Sequence, residues 1–144
     1  MGCREVKYLL DTGVWLRAVN EAQTIPGGVL RLLKAPREMY GLAAISLWEV
    51  GKKVQSGKLP LPKDLPGWFA DALAPNIEVL PMTAQIVTEA MRLPEFPNRD
   101  PADELIAATA RVHKLTLLTT DTKLKSYHHA HIHYFKPILG AKRR

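Results

Sequence analysis

Val6-Lys7-Tyr8-Leu9-Leu10-Asp11 decides how the rest of the chain is read. Its first five residues, mostly apolar, match the length of a strand buried inside a sheet, and a carboxylate stops the run where the strand would emerge. The theme repeats at Leu42 to Ile45, Ile77 to Leu80 and Leu115 to Leu118, with a weaker candidate at His131 to Tyr134. Between these runs the spacing is helical: Ile86, Ala90 and Leu93 share one face, as do Leu105, Ala108, Thr109 and Val112. Alternation of this kind implies parallel strands joined by helical crossovers. The expected fold is α/β, a central parallel sheet of four to five strands flanked by helices.

A chain of 144 residues fits one domain, with a core over about 6–135 and a tail at 136–144. Pro60, Pro62 and Pro66 punctuate a connector ahead of a helical stretch from Trp68 to Leu73, and Pro94 and Pro97 break the chain before Asp100. Neither has the composition of a domain linker. With 47% of residues apolar and 24% charged, a disordered or fibrous chain is excluded. No run approaches the length of a membrane span or a secretory signal, so a soluble cytoplasmic protein is expected. Cys3 stands alone, which rules out an internal disulfide and suits a reducing compartment. A formal charge of +6 favours anionic partners without naming one.

The acidic residues fall where such a fold would use them. Asp11 follows the first strand, Ser46 and Glu49 open the helix after the second, Asp100 and Asp103 open the helix before the fourth, and Asp121 lies just past Leu118. Strand carboxyl ends and helix amino ends share one edge of an open α/β sheet, the edge that binds ligands. Each acid also has a structural reading. Ser46 and Glu49 have the spacing of a capping box, Asp100-Pro101-Ala102-Asp103 reads as N-cap, N1 proline and first-turn acid, and Asp121 suits an N-cap for a helix beginning near Thr122. Coincidence at one edge argues for more than capping. Clustered carboxylates raise one another's proton affinity, so keeping them ionised takes a cation, and all-oxygen donors suit Mg²⁺ or Mn²⁺ better than zinc. With Asp11, Glu49, Asp103 and Asp121 set aside, twenty basic residues face ten acidic ones. An acidic pit in a basic surface fits metal-assisted cleavage of a polyanion.

At these positions the sequence resembles the PIN-domain nucleases, and among them the VapC-type toxins of toxin–antitoxin pairs. The matching pieces are Leu9-Leu10-Asp11-Thr12, Ser46-Leu47-Trp48-Glu49, Arg99-Asp100-Pro101-Ala102-Asp103 running into Leu105-Ile106-Ala107-Ala108-Thr109-Ala110, and Leu118-Thr119-Thr120-Asp121, in family order. The resemblance implies a single PIN-like domain and a divalent-metal-dependent endoribonuclease leaving 5′-phosphate and 3′-hydroxyl ends. It maps the catalytic and metal-binding quartet to Asp11, Glu49, Asp103 and Asp121, with Thr12, Ser46, Asp100 and Thr119 in support. It further implies an RNA substrate, a homodimer, and a cognate VapB-like antitoxin whose C-terminal segment covers the groove. Glu104 departs from the pattern, which often has Arg there, and the seven residues before Tyr8 exceed the usual short start.

Other features have plainer readings. Trp15 and Trp48 belong to a core or dimer contact. Lys52, Lys53 and Lys58 form a solvated face, and Lys142, Arg143 and Arg144 a basic tail. His129, His131 and His133 alternate at strand period, so three imidazoles share one side and could capture Zn²⁺ or Ni²⁺, though no carboxylate is placed to complete the shell. Two alternatives to an enzyme remain: a catalytically silent scaffold that docks RNA or antitoxin, and a receiver-like Mg²⁺-binding signalling domain. A receiver needs neighbouring acids after its first strand, and here Asp11 stands alone.

Overall fold

A computed structural model describes residues 5–35, 38–73 and 75–138. Cys3 and the terminal Lys142, Arg143 and Arg144 lie outside the described residues. The chain runs β1 (Val6–Leu10), α1 (Thr12–Asn20), a 3-10 turn (Ala22–Thr24), α2 (Gly27–Leu33), β2 (Met39–Ala43), α3 (Ala44–Gln55) and α4 (Leu65–Ala72). It continues through β3 (Ile77–Leu80), α5 (Ala84–Met91), α6 (Pro101–His113), β4 (Thr116–Thr119), a second 3-10 turn (Thr122–Leu124) and β5 (Ile132–Tyr134). The five strands form one sheet in the order β3-β2-β1-β4-β5, and every neighbouring pair is parallel.

Burial on both faces explains why the central strands are nearly continuous in apolar residues. Leu9 lies opposite Leu117 and Leu10 opposite Leu118, and the pleat sends each row to its own side. Leu9 and Leu117 pack with Leu80, Ile106 and Ala110 beneath α6. Leu10, Leu42 and Leu118 pack with Val14, Trp15, Val50 and Trp68 on the other face. There the Trp15 indole donates to the Ala72 carbonyl at 3.1 Å and meets Trp68 edge-on. Beside α6, α5 buries Ile86 and Ala90 against Ala108, with Leu105 and Val112 alongside.

Several sequence expectations shift. The second strand covers Met39–Ala43 rather than Leu42 to Ile45, because Gly41, a break by composition, sits mid-strand. A Cβ there would meet Leu80 Cδ1 at 3.0 Å and Leu9 Cδ1 at 3.3 Å. Ile45 consequently belongs to α3. The fourth strand covers Thr116–Thr119, one residue later than expected. Leu93 lies beyond the end of α5 at Met91, so it does not extend the Ile86 and Ala90 stripe. Trp15 is buried as expected, but Trp48 is 62% exposed and stands outside this chain's core, with the Lys52 ammonium 5.8 Å from its ring centre. Lys52, Lys53 and Lys58 are exposed. No helix among the described residues is long and apolar enough to cross a membrane.

Candidate active site

The strand order reverses direction between β1 and β4. β2 and β3 were laid down on one side of β1, and the chain then crosses to its other side for β4 and β5. At such a switch point adjacent connections leave in opposite directions and open a crevice beyond the strand carboxyl ends. Asp11 emerges from β1 into this crevice, and Asp121 follows β4.

A single hydroxyl ties the two together. Thr119, fully buried at the end of β4, donates to Asp11 Oδ2 and accepts the Asp121 backbone N–H at 3.0 Å. The other Asp11 oxygen accepts the Val14 N–H at 2.7 Å, so this residue is also the N-cap of α1. Asp121 caps its own 3-10 turn by accepting from the Lys123 N–H at 2.9 Å. Capping and a place in the crevice therefore coincide, since each short side chain reaches a backbone donor with one oxygen while its other oxygen takes no backbone N–H.

Glu49 enters from α3. Thr12 donates to Glu49 Oε1 at 2.5 Å and lies 2.7 Å from the Ser46 hydroxyl. Because Thr12 has one proton and gives it to Glu49, Ser46 must donate to Thr12. This overturns the capping-box reading of Ser46 and Glu49. The helix starts at Ala44 with Ala43 as its N-cap and no side-chain cap bond, so Ser46 lies inside the first turn, fully buried. It supports Thr12 rather than the helix end.

Asp103 comes from the start of α6, where Asp100 is the N-cap and accepts from the Ala102 and Asp103 N–H groups at 2.9 and 3.1 Å. Pro101 sits at the helix start, so the local reading of this segment holds. Asn98, which sequence reasoning passed over, donates to Asp103 Oδ2 at 3.2 Å and accepts the Asp100 N–H at 2.9 Å. Its signal was the Asn-x-Asp spacing ahead of the cap, which makes a local side-chain turn.

Burial dominates the electrostatics. Desolvation raises the Asp11 carboxyl to about 6 despite the bonds from Thr119 and Val14, with Asp121 and Glu49 adding repulsion. Asp103 also rises to about 6, first through burial, then through the charges of Asp100, Glu49 and Asp121, against the Asn98 bond. Asp11 and Asp103 thus each feel the charges of Glu49 and Asp121. No three of them bring oxygens within 4.8 Å of one another among the described residues. They share a field rather than a closed ligand cage.

This donor set fits a hard dication: four carboxylates in one crevice, two of them holding protons more tightly than a free side chain does. A pH dependence follows. The folded pKa of Asp11 and Asp103 lies near 6 against an unfolded 3.8, so between these values the metal-free fold holds more protons than the unfolded chain. Their contribution to stability is therefore largest below the unfolded value and is lost as pH rises through 6. Chemical denaturation should show Asp103→Asn losing less stability than the parent between about pH 4.5 and about pH 7. Equal losses would contradict the raised carboxyl.

The parallel sheet, its switch point and the carboxylates beyond it define an open α/β domain of the PIN type. A PIN domain model matches residues 8–129, and the chain belongs to that family. It is 33% identical over 121 residues to ribonuclease VapC22 of Mycobacterium tuberculosis, an alignment spanning 84% of this chain and 92% of that protein. Solved structures share the fold. VapBC2 of Rickettsia felis, bound to a promoter DNA fragment, superposes with a TM-score of 0.68 at 19% identity, covering 90% of this chain and 98% of that one. DNA-bound VapBC of Salmonella typhimurium gives 0.66 at 17% identity, with the same coverage of both chains. The resemblance to VapC-type PIN proteins is borne out, and the receiver-like alternative gives way to it.

Proposed function

We propose that this chain is a divalent-metal-dependent endoribonuclease that acts as the toxin of a VapBC-type toxin–antitoxin pair. The observation that carries the reading is the convergence of Asp11, Glu49, Asp103 and Asp121 on the β1/β4 switch point, with Thr119 joining the first to the last. These four residues would hold Mg²⁺ or Mn²⁺, which when bound supplies an acidified water and offsets charge growing on the phosphate oxygens. Thr119, Thr12 and Asn98 fix the orientations of Asp11, Glu49 and Asp103. No side-chain nucleophile is needed. Basic residues outside the crevice hold the RNA backbone by charge.

The partners proposed with this reading are an RNA substrate, a second copy of the chain, and a VapB-like antitoxin whose C-terminal segment covers the crevice. The name of the M. tuberculosis relative supports the ribonuclease, and the VapBC assemblies with the same fold support the antitoxin. A second reading, a catalytically silent scaffold that docks RNA or antitoxin, draws on the spacing of the quartet, which closes no ligand cage by itself.

One assay separates them. Incubating the protein with a pooled RNA substrate should give 5′-phosphorylated fragments with Mg²⁺ or Mn²⁺ and none with EDTA. RNA retained intact under all metal conditions, yet shifted in a gel, would establish the scaffold instead.

A further inference from the structure

Outside the crevice, one cluster unites imidazole and carboxylate. Glu95, in the connection between α5 and α6, meets His128 and His129, in the turn leading to β5. One donor atom from each lies within 4.8 Å of the other two. We infer that Glu95, His128 and His129 form a second metal site, separate from the acidic quartet and selective for a borderline transition dication of the Zn²⁺ class. This inference does not depend on the nuclease reading.

Geometry supports it. Glu95 Oε1 and His129 Nε2 are 3.5 Å apart, long for a hydrogen bond. Two ligands of one tetrahedral zinc, each bonded at about 2.0–2.1 Å, are separated by about 3.3 Å. The His129 Nε2 atom is itself buried and has no hydrogen-bond partner. Buried ring nitrogens are rarely left so, and one without a partner calls for an explanation that a ligand position supplies. Glu95 also adopts a left-handed backbone at φ 50, which a residue with a Cβ holds at some cost.

The surrounding side chains fix both halves of the cluster. The Arg111 guanidinium, held by Glu89 Oε2 at 2.5 Å, donates to the His129 carbonyl. The Tyr127 hydroxyl donates to the Pro94 carbonyl at 2.7 Å, while its ring meets Phe96 and His129 edge-on. Tyr127 thus anchors the residues flanking Glu95 and touches a proposed ligand. A cavity of about 240 Å³ lined by Glu95, Lys123, Ser126, His128 and His129 leaves space for a fourth ligand, water or an exogenous group.

Donor chemistry separates the two sites. The crevice offers carboxylate oxygens alone and suits Mg²⁺, whereas two imidazoles and one carboxylate form a set common at open zinc sites. The structure also revises the sequence reading of the histidine run. His129 lies upstream of β5, His131 and His133 do not join the cluster, and the missing carboxylate comes from Glu95, 33 positions before His128. Occupancy would pin the α5–α6 connection, whose Asn98 orients Asp103 in the crevice.

The test uses the full, tag-free chain stripped of metal, with Zn²⁺ alone as probe in calorimetric titration and Co²⁺ as its spectroscopic substitute. The parent is expected to bind one Zn²⁺ at this cluster, raise its Tm on binding, and give the visible absorption of four-coordinate Co²⁺. E95Q, H128A and H129A should each weaken Zn²⁺ by at least about tenfold, while H131A, H133A and D11N retain it. E95Q alters an exposed side chain, so it keeps the test valid if a histidine variant folds poorly. Binding that survives in E95Q, H128A and H129A, or a parent affinity no better than that of the H128A/H129A double variant, overturns the site.

Discussion

Asp11→Asn is expected to reduce RNA cleavage by at least about 100-fold, a loss typical of removing one pre-positioned electrostatic group, while the metal-free protein at neutral pH becomes no less stable. The opposed directions come from one cause. Burial raises the Asp11 carboxyl to about 6, so at neutral pH its ionised form is held in the fold against its solvation preference. An amide of the same shape removes that charge. It keeps an oxygen for the Val14 N–H, and the Thr119 hydroxyl can turn to accept from the new N–H₂. What the variant loses is an anionic donor in the proposed metal site. The Tm gain that Mg²⁺ or Mn²⁺ gives the parent should therefore shrink with the activity. Melting curves with and without the ion, run beside the RNA assay, check both halves. An Asp11→Asn protein that cleaves as fast as the parent removes this residue from the proposed site.

How far the sequence reveals this site depends on how local each interaction is. Asp100 as a cap, Pro101 at the helix start and Asp121 before its turn were legible because a helix amino end is satisfied by side chains two or three positions away. The strands Val6–Leu10 and Ile77–Leu80 were legible in full because each is a short apolar run interrupted only by one exposed charged residue, Lys7 or Glu78. The Ser46 role was not legible. Its spacing to Glu49 imitates a capping box, and the partner that decides otherwise, Thr12, is 34 positions away. Alternating strands and helices implied a parallel sheet but not its order, and it is the β1/β4 adjacency that brings Asp11 to Thr119 and Asp121. The resemblance grouped Asp11 and Asp121 in one quartet with Thr119 in support, but gave neither the strand order nor the bond from Thr119 to Asp11. Glu95 was illegible for the same reason, since nothing in the run from Pro94 to Pro97 announces a contact with His128 and His129.

Thr119 is where the adjacency of β1 and β4 becomes chemistry, and Thr119→Val should show it. The two side chains are close in shape, but valine has no hydroxyl. The substitution strips a donor from Asp11 Oδ2 and an acceptor from the Asp121 N–H, both beside a fully buried position. Leaving such groups unpaired costs about 1–3 kcal/mol each, so denaturant unfolding should register a clear loss of stability. The effect on activity has a different signature. The Thr119 bond lowers the Asp11 carboxyl against the rise that burial causes; without it, Asp11 holds its proton to still higher pH. Protons then compete longer with the metal. Cleavage at neutral pH should fall about 10- to 100-fold, more Mg²⁺ should be needed for half-maximal rate, and the acidic limb of the pH–rate profile should move upward. Thr119→Ser, which restores the hydroxyl, should bring the limb back. A purely structural role for Thr119 predicts a uniform drop at every pH, with no displacement of the limb and no change in the Mg²⁺ requirement, so the profile decides between holding a fold together and holding Asp11 ready for a cation.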